Sequence, residues 1–167
     1  MEAGKLGERS ALLIPFPELG RLLDPWLEHS IGARPSHGVP PHVTILSPSP
    51  PDIGDALDNV AAFDVEFRET RRFPIGAVYL APEPPDPFIE LTRLVWDRFP
   101  EWPPYGGEFL PDMTPHLTVA WGAMLDEAEE SLAAHLPLRA RARQALLLAE
   151  VAPNKWTRSA SFRFRGT

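Results

Sequence analysis

The apolar positions of this chain change period from stretch to stretch, and each change predicts an element. Ser10 to Phe16 is an almost unbroken apolar run, the pattern of a short strand buried on both faces. Pro17 to about His29 carries Leu19, Leu22, Leu23 and Trp26 near helical spacing. Pro25 lies inside that stretch, so a kink or a restart is expected, with Asp24 as N-cap. Ser30 to Pro41 reads as a loop rich in Gly and Pro, and His42 to Leu46 as a strand. Asp52 then opens a predicted helix with Ile53, Ala56, Leu57 and Val60 on one face. Phe63 to Phe73 alternates like a half-exposed antiparallel strand.

From residue 76 the order recurs. Gly76 to Ala81 is a second short apolar strand, and Asp86-Pro87 opens a helix with Phe88, Leu91, Val95 and Phe99 on one side. Phe99 to Thr114 is a second loop rich in Pro and Gly, leading into a strand from His116 to Trp121. A helix from Asp126 to His135 is stopped by Pro137. Leu138 to Val151 and Trp156 to Phe164 read as strands joined by a turn at Ala152–Lys155. The expectation is an α+β domain over residues 1–167, duplicated in halves of about 10–73 and 76–167. A pseudo-two-fold arrangement of the halves would bring the strands at 42–46 and 116–121 together.

Those two strands carry the same residues: Pro41-His42-Val43-Thr44-Ile45 and Pro115-His116-Leu117-Thr118-Val119, with the histidines 74 positions apart. On a strand, His and Thr share one face, about 6.6 Å apart, while Val43, Ile45, Leu117 and Val119 take the other face toward a core. Each copy thus offers an imidazole and a hydroxyl from a rigid element. Facing each other, two copies would supply a base, an acid and two phosphate-binding hydroxyls.

Composition narrows the field. With no cysteine there is no disulfide framework, no thiolate metal site and no cysteine nucleophile. The longest apolar run near the start is too short to span a bilayer, so neither a membrane nor a leader segment is expected, and the chain is read as cytoplasmic. The net charge of −7 argues against coating long nucleic acid. Residues 131–167 nevertheless hold seven basic side chains against Glu150 alone, a net +6, which leaves −13 on the rest. Local basicity on an acidic protein suits a small phosphorylated ligand or an oligonucleotide end. A monomer is the default expectation.

The paired His-x-Thr strands, each after a loop and before a helix, resemble the two-histidine (2H) phosphoesterase superfamily of 2′-5′ RNA ligase-like and cyclic phosphodiesterase proteins. Gly38-Val39-Pro40-Pro41 before the first motif adds to the likeness, as does Phe99-Pro100-Glu101-Trp102-Pro103-Pro104-Tyr105-Gly106-Gly107 before the second. The resemblance implies two lobes, each an antiparallel sheet with outer helices, and a metal-free cleft between them. It implies no cofactor, and substrates with a 2′,3′-cyclic phosphate, a 2′-5′ linkage or a related nucleotide phosphodiester.

His42 and His116 are therefore the expected catalytic acid and base, in an order the sequence leaves open, and Thr44 and Thr118 the expected phosphate contacts. Tyr105 is a candidate for stacking on a base, or else a packing aromatic. Arg158 and Lys155 are candidate phosphate contacts. Trp156 is expected in the core, and Arg139, Arg141 and Arg143 toward solvent. His29, His37 and His135 have no such context and are expected exposed, with His37 a candidate for the cleft mouth. A metal site is the chemical alternative, but neither motif brings a carboxylate at ligand spacing. A non-catalytic RNA- or nucleotide-binding module keeping the same fold is the alternative of a different class.

Overall fold

The computed structural model describes residues 9–28, 39–107, 114–122, 124–153 and 155–167. Its strands are β1 (Ser10–Pro15), β2 (His42–Leu46), β3 (Phe63–Phe73), β4 (Ala77–Glu83), β5 (Leu117–Trp121), β6 (Leu138–Ala142), β7 (Gln144–Ala152) and β8 (Lys155–Arg163). Among the described residues they form two four-stranded antiparallel sheets, ordered β2-β1-β7-β8 and β5-β4-β3-β6. Three helices accompany them: α1 (Gly20–Glu28), α2 (Asp86–Arg98) and α3 (Leu125–Ala133). This is the two-sheet α+β architecture that the alternating and helical stretches predict.

Each motif strand forms one edge of its sheet, hydrogen-bonded to the strand that precedes it. In the first sheet Leu13 stands opposite Thr44 and Pro15 opposite His42; in the second Tyr79 stands opposite Thr118. The third strand of each sheet comes from beyond the motif of the other. β3 follows the first motif yet pairs with β4, and β7 follows the second yet pairs with β1. The helices cross over likewise, α1 packing on β5 and α2 on β2. A two-stranded hairpin is marginal by itself, and this exchange gives each motif hairpin the further strands and the covering helix that it lacks.

One core serves both sheets. Leu12, Ile14, Val43, Ile45 and Leu147 from the first join Val65, Phe67, Val78, Leu80, Leu117 and Val119 from the second. Five phenylalanines form its seam. Phe16, just after β1, meets Phe67 of β3 edge-on at 5.5 Å between ring centres and Phe88 of α2 at 6.4 Å. Phe63 meets Phe88 at 5.3 Å and stacks on Phe164 at 6.4 Å. Such edge-on contacts add to the burial of the rings themselves.

Three expectations need correction. Residues 52–60 form no helix but a series of turns, with Ala56 N–H donating to Ile53 O and Asp58 N–H to Asp55 O. Gly54 adopts φ +56°, which no right-handed helix accommodates, and the Asp52 carboxylate accepts from Gly54 N–H at 2.8 Å in a local turn. Ile53 and Leu57 are buried all the same, so the apolar spacing was a burial signal and not a helix signal. The long strand expected over Leu138–Val151 is two strands, β6 and β7, which part at Arg143 and enter different sheets. And α1 runs through Pro25 instead of restarting at Asp24, after a short 3-10 turn at Pro17–Leu19. Arg21, whose carbonyl loses its helical donor at Pro25, is exposed, so that oxygen can turn to water.

Candidate active site

Burial alternates along both motif strands. Val43, Ile45, Leu117 and Val119 are buried in the shared core, while His42, Thr44, His116 and Thr118 are partly exposed. The edges β2 and β5 come within 8 Å of each other, Cα to Cα. Their apolar faces enter one core, which leaves the His and Thr faces of both edges outside it. His42 feels the charge of His116 directly. The structure therefore brings together the four motif residues that the chain separates.

Both imidazoles are held by the same local device. His42 Nδ1 lies 2.9 Å from the Pro40 carbonyl oxygen, and His116 Nδ1 lies 2.8 Å from that of Thr114. A carbonyl only accepts, so Nδ1 carries the proton in each ring and Nε2 is left for a ligand. The bond spans two residues, and the residue between is a proline in both motifs, Pro41 and Pro115. Its restricted φ helps hold the carbonyl beneath the ring. The prolines could have been given this part from sequence, since each immediately precedes its histidine.

The surroundings of the two rings differ. His116 abuts Phe73 edge-on at 4.9 Å and Tyr79 at 5.8 Å between ring centres, and Phe73 and Tyr79 stack on each other at 4.1 Å. Neither aromatic was singled out in the sequence. Tyr79 sits in an apolar run that reads as buried on both faces, and Phe73 ends a strand whose face is shifted by a bulge between Phe67 and Glu69. On the other side, Thr44 has Tyr105 beside it, which reaches β2 from the loop before the second motif. Thr44 and Tyr105 line a small cavity with Thr92, Thr114 and Pro115, and Thr92 Oγ1 donates to Ile45 O on the free edge of β2 at 2.8 Å.

Next to this, a cleft of about 510 Å³ is lined by Arg68, Glu69, Arg71, Glu83, Ile89, Thr114 and Pro115, among others. Leu13, Leu146 and Leu148, with Trp156 and Val39 against them, form a second apolar cluster. It lies on the face of the first sheet that carries Thr44, since Leu13 pairs with both Thr44 and Leu146. Trp156 thus packs on a satellite cluster and not in the main core.

Arg158 is exposed opposite Leu148 on β8, three strand spacings or about 14 Å from β2. At the backbone, the fold does not bring it to the histidines. Lys155 is exposed at the end of the same strand. Arg139 and Arg143 are exposed and Arg141 half-exposed; Arg141 pairs with Asp64 at 2.8 Å and Arg143 with Glu18 at 3.6 Å. His135 is exposed, and His29 and His37 lie outside the described residues. Among the described residues, no group of three or more His, Asp or Glu side chains gathers as a metal ion would need, and no helix is long and apolar enough to cross a membrane.

Burial holds both imidazoles below the ordinary histidine value of 6.5, since it penalises the charged ring. The carbonyl contacts of Pro40 and Thr114 partly offset this, and His116 pushes His42 lower still. A histidine depressed on folding binds its proton more weakly folded than unfolded. Its contribution to stability is therefore complete above the unfolded value near 6.5 and is lost as pH falls through the folded values. Urea unfolding of the ligand-free protein should give a free energy that declines on acidification below about pH 6.5. The decline should be shallower in His42→Ala; an equal slope in the two proteins would mean that the fold does not depress His42.

The chain belongs to the 2′-5′ RNA ligase superfamily, whose family model matches residues 15–154. It has the two-sheet fold of the 2H phosphoesterases. Escherichia coli LigT in complex with 3′-AMP superposes with a TM-score of 0.60 at 15% sequence identity, covering 95% of this chain and 98% of LigT. TT0787 of Thermus thermophilus superposes with a TM-score of 0.62 at 20% identity, with 95% and 98% covered. LigT in complex with ATP gives 0.59 at 16% identity, with 94% and 98% covered. No curated protein sequence matches the chain.

Proposed function

We propose that this chain is a metal-independent phosphodiesterase that opens 2′,3′-cyclic phosphates on a nucleotide or an RNA end, with His42 and His116 as its acid–base pair. The observation that carries this reading is the matched pair of imidazoles on neighbouring sheet edges, each with Nδ1 committed to a backbone carbonyl and a threonine two residues on. One neutral Nε2 takes a proton from the attacking water. The other, protonated, gives its proton to the ribose oxygen that leaves phosphorus. A new P–O bond forms as the old one breaks, in line, with the two rings on opposite sides of the phosphate.

Thr44 and Thr118 donate hydrogen bonds to the non-bridging oxygens, where negative charge must be supported. The repulsion between His42 and His116 disfavours two protons on the pair, and the reaction starts from the state that carries one. With an RNA 5′-hydroxyl attacking phosphorus in place of water and the 3′-oxygen leaving, the same groups would join the two ends through a 2′-5′ bond. The LigT complexes with 3′-AMP and ATP support a ligand of nucleotide size. Arg158 is proposed as an outer contact for a longer substrate.

The test is turnover of 2′,3′-cyclic nucleotides and 2′-5′ dinucleotides in the presence of a chelator. Hydrolysis should proceed at the same rate with and without it. Activity that vanishes on chelation would sink the mechanism, and tight nucleotide binding without turnover of any of these substrates would make the chain a binding module instead.

A further inference from the structure

We infer that Tyr105 is a positioning residue for the first motif: its phenol holds the Thr44 hydroxyl so that the threonine's hydrogen points at the phosphate. This rests on the phosphodiesterase reading above and assigns one more side chain to it. Tyr105 lies in a short 3-10 turn, Pro104–Gly107, in the loop that leads to the second motif, yet it contacts the first. Its N–H donates to Ser47 O at 2.8 Å, one residue past the end of β2, and its side chain stands beside Thr44 of β2 in the wall of one small cavity. The backbone bond holds the loop against the strand that carries His42, with the ring next to Thr44.

The backbone at Tyr105 is left-handed, with φ 51°, a conformation costly for a residue with a β-carbon. Two glycines, Gly106 and Gly107, stand immediately after it. A tyrosine held in a strained conformation in a glycine-rich turn suggests that its ring and hydroxyl are used.

A threonine hydroxyl has one hydrogen and two lone pairs. If the phenol fills one lone pair, the hydroxyl rotor is fixed and its hydrogen is free for a phosphoryl oxygen. A tyrosine phenol titrates far above neutral pH, so it keeps its proton there and is able to donate. The second motif is built differently. Tyr79 stands opposite Thr118, but its ring stacks on Phe73 and abuts His116. The first threonine therefore has a phenol strap of its own, reaching it from the loop of the other motif.

The experiment compares Tyr105→Phe, Thr44→Val and the double variant on a 2′,3′-cyclic nucleotide. Tyr105→Phe keeps the ring and should lower kcat about tenfold while KM stays within about twofold. In the Thr44→Val background the same change should cost less than about twofold more, because the hydroxyl that it orients is gone. Independent, multiplying losses would overturn the proposal, as would unchanged kcat. A raised KM with kcat intact would overturn it too, by placing the ring on the substrate.

His42→Ala run alongside separates the two ideas, since activity that survives it overturns the phosphodiesterase mechanism whatever Tyr105 does. A readout without turnover tests the pairing itself. The chain has two tyrosines, so labelling the phenol Cζ with carbon-13 gives two signals, and Tyr105→Phe identifies one of them. Thr44→Val must shift that signal; a signal that stays in place refutes the strap.

Discussion

His42→Ala and His116→Ala should each lower kcat for cyclic phosphate opening by about 10²- to 10⁴-fold, the range that a positioned general acid or base contributes. Both losses should appear in kcat more than in KM, because in the proposed mechanism the imidazoles act on protons in flight while the threonines hold the phosphate. The double variant should be little worse than either single one, since a proton relay missing one end has lost most of its value. Both side chains are partly exposed on or beside edge strands and bond to a local carbonyl. The variants should therefore fold, with circular dichroism as the check. Turnover within about tenfold of wild type in either would exclude an acid–base role for that histidine.

Phe67→Ala should cost about 3–5 kcal/mol of folding free energy, read as a lower urea midpoint at unchanged slope. Phe67 is fully buried in β3 of the second sheet and meets Phe16 of the first edge-on. Its removal opens a cavity at the seam where the sheets join. Against a typical total of about 5–15 kcal/mol, that is a large fraction of the stability. The effect should also reach the site. Phe16 N–H donates to Pro41 O at 2.7 Å, one residue before His42, so loosening Phe16 loosens the backbone that aims the first imidazole. Phe67→Leu, which refills most of the volume, should recover the larger part. A loss below about 1 kcal/mol for Phe67→Ala would show that the two sheets do not depend on this contact.

The residues of the candidate site were legible because strand chemistry is local. A side chain on a strand shares its face with the residue two positions on, so His-x-Thr after a proline declared its geometry before any pairing was known. The same locality explains the failures. The spacing of Ile53, Ala56, Leu57 and Val60 marks burial, and the positive φ at Gly54 turned it from helix into turns. Leu138–Val151 alternates throughout, and nothing in that alternation tells which sheet each part joins. Tyr79 and Phe73 look like core residues in sequence because an apolar wall and a core have the same composition.

By itself, then, the sequence determined most of the elements, their repeated order and the two His-x-Thr faces, since hydrophobic period, proline placement and turn residues act over a few positions. The tertiary structure alone decided that β3 and β7 change sheets, and that α1 and α2 cover each other's motif strands. It also decided that Tyr105 reaches Thr44, and that Phe73 and Tyr79 wall His116. Most of those contacts join residues tens of positions apart. They depend on which faces can be buried together, a competition among all the apolar surfaces of the chain that no single stretch encodes.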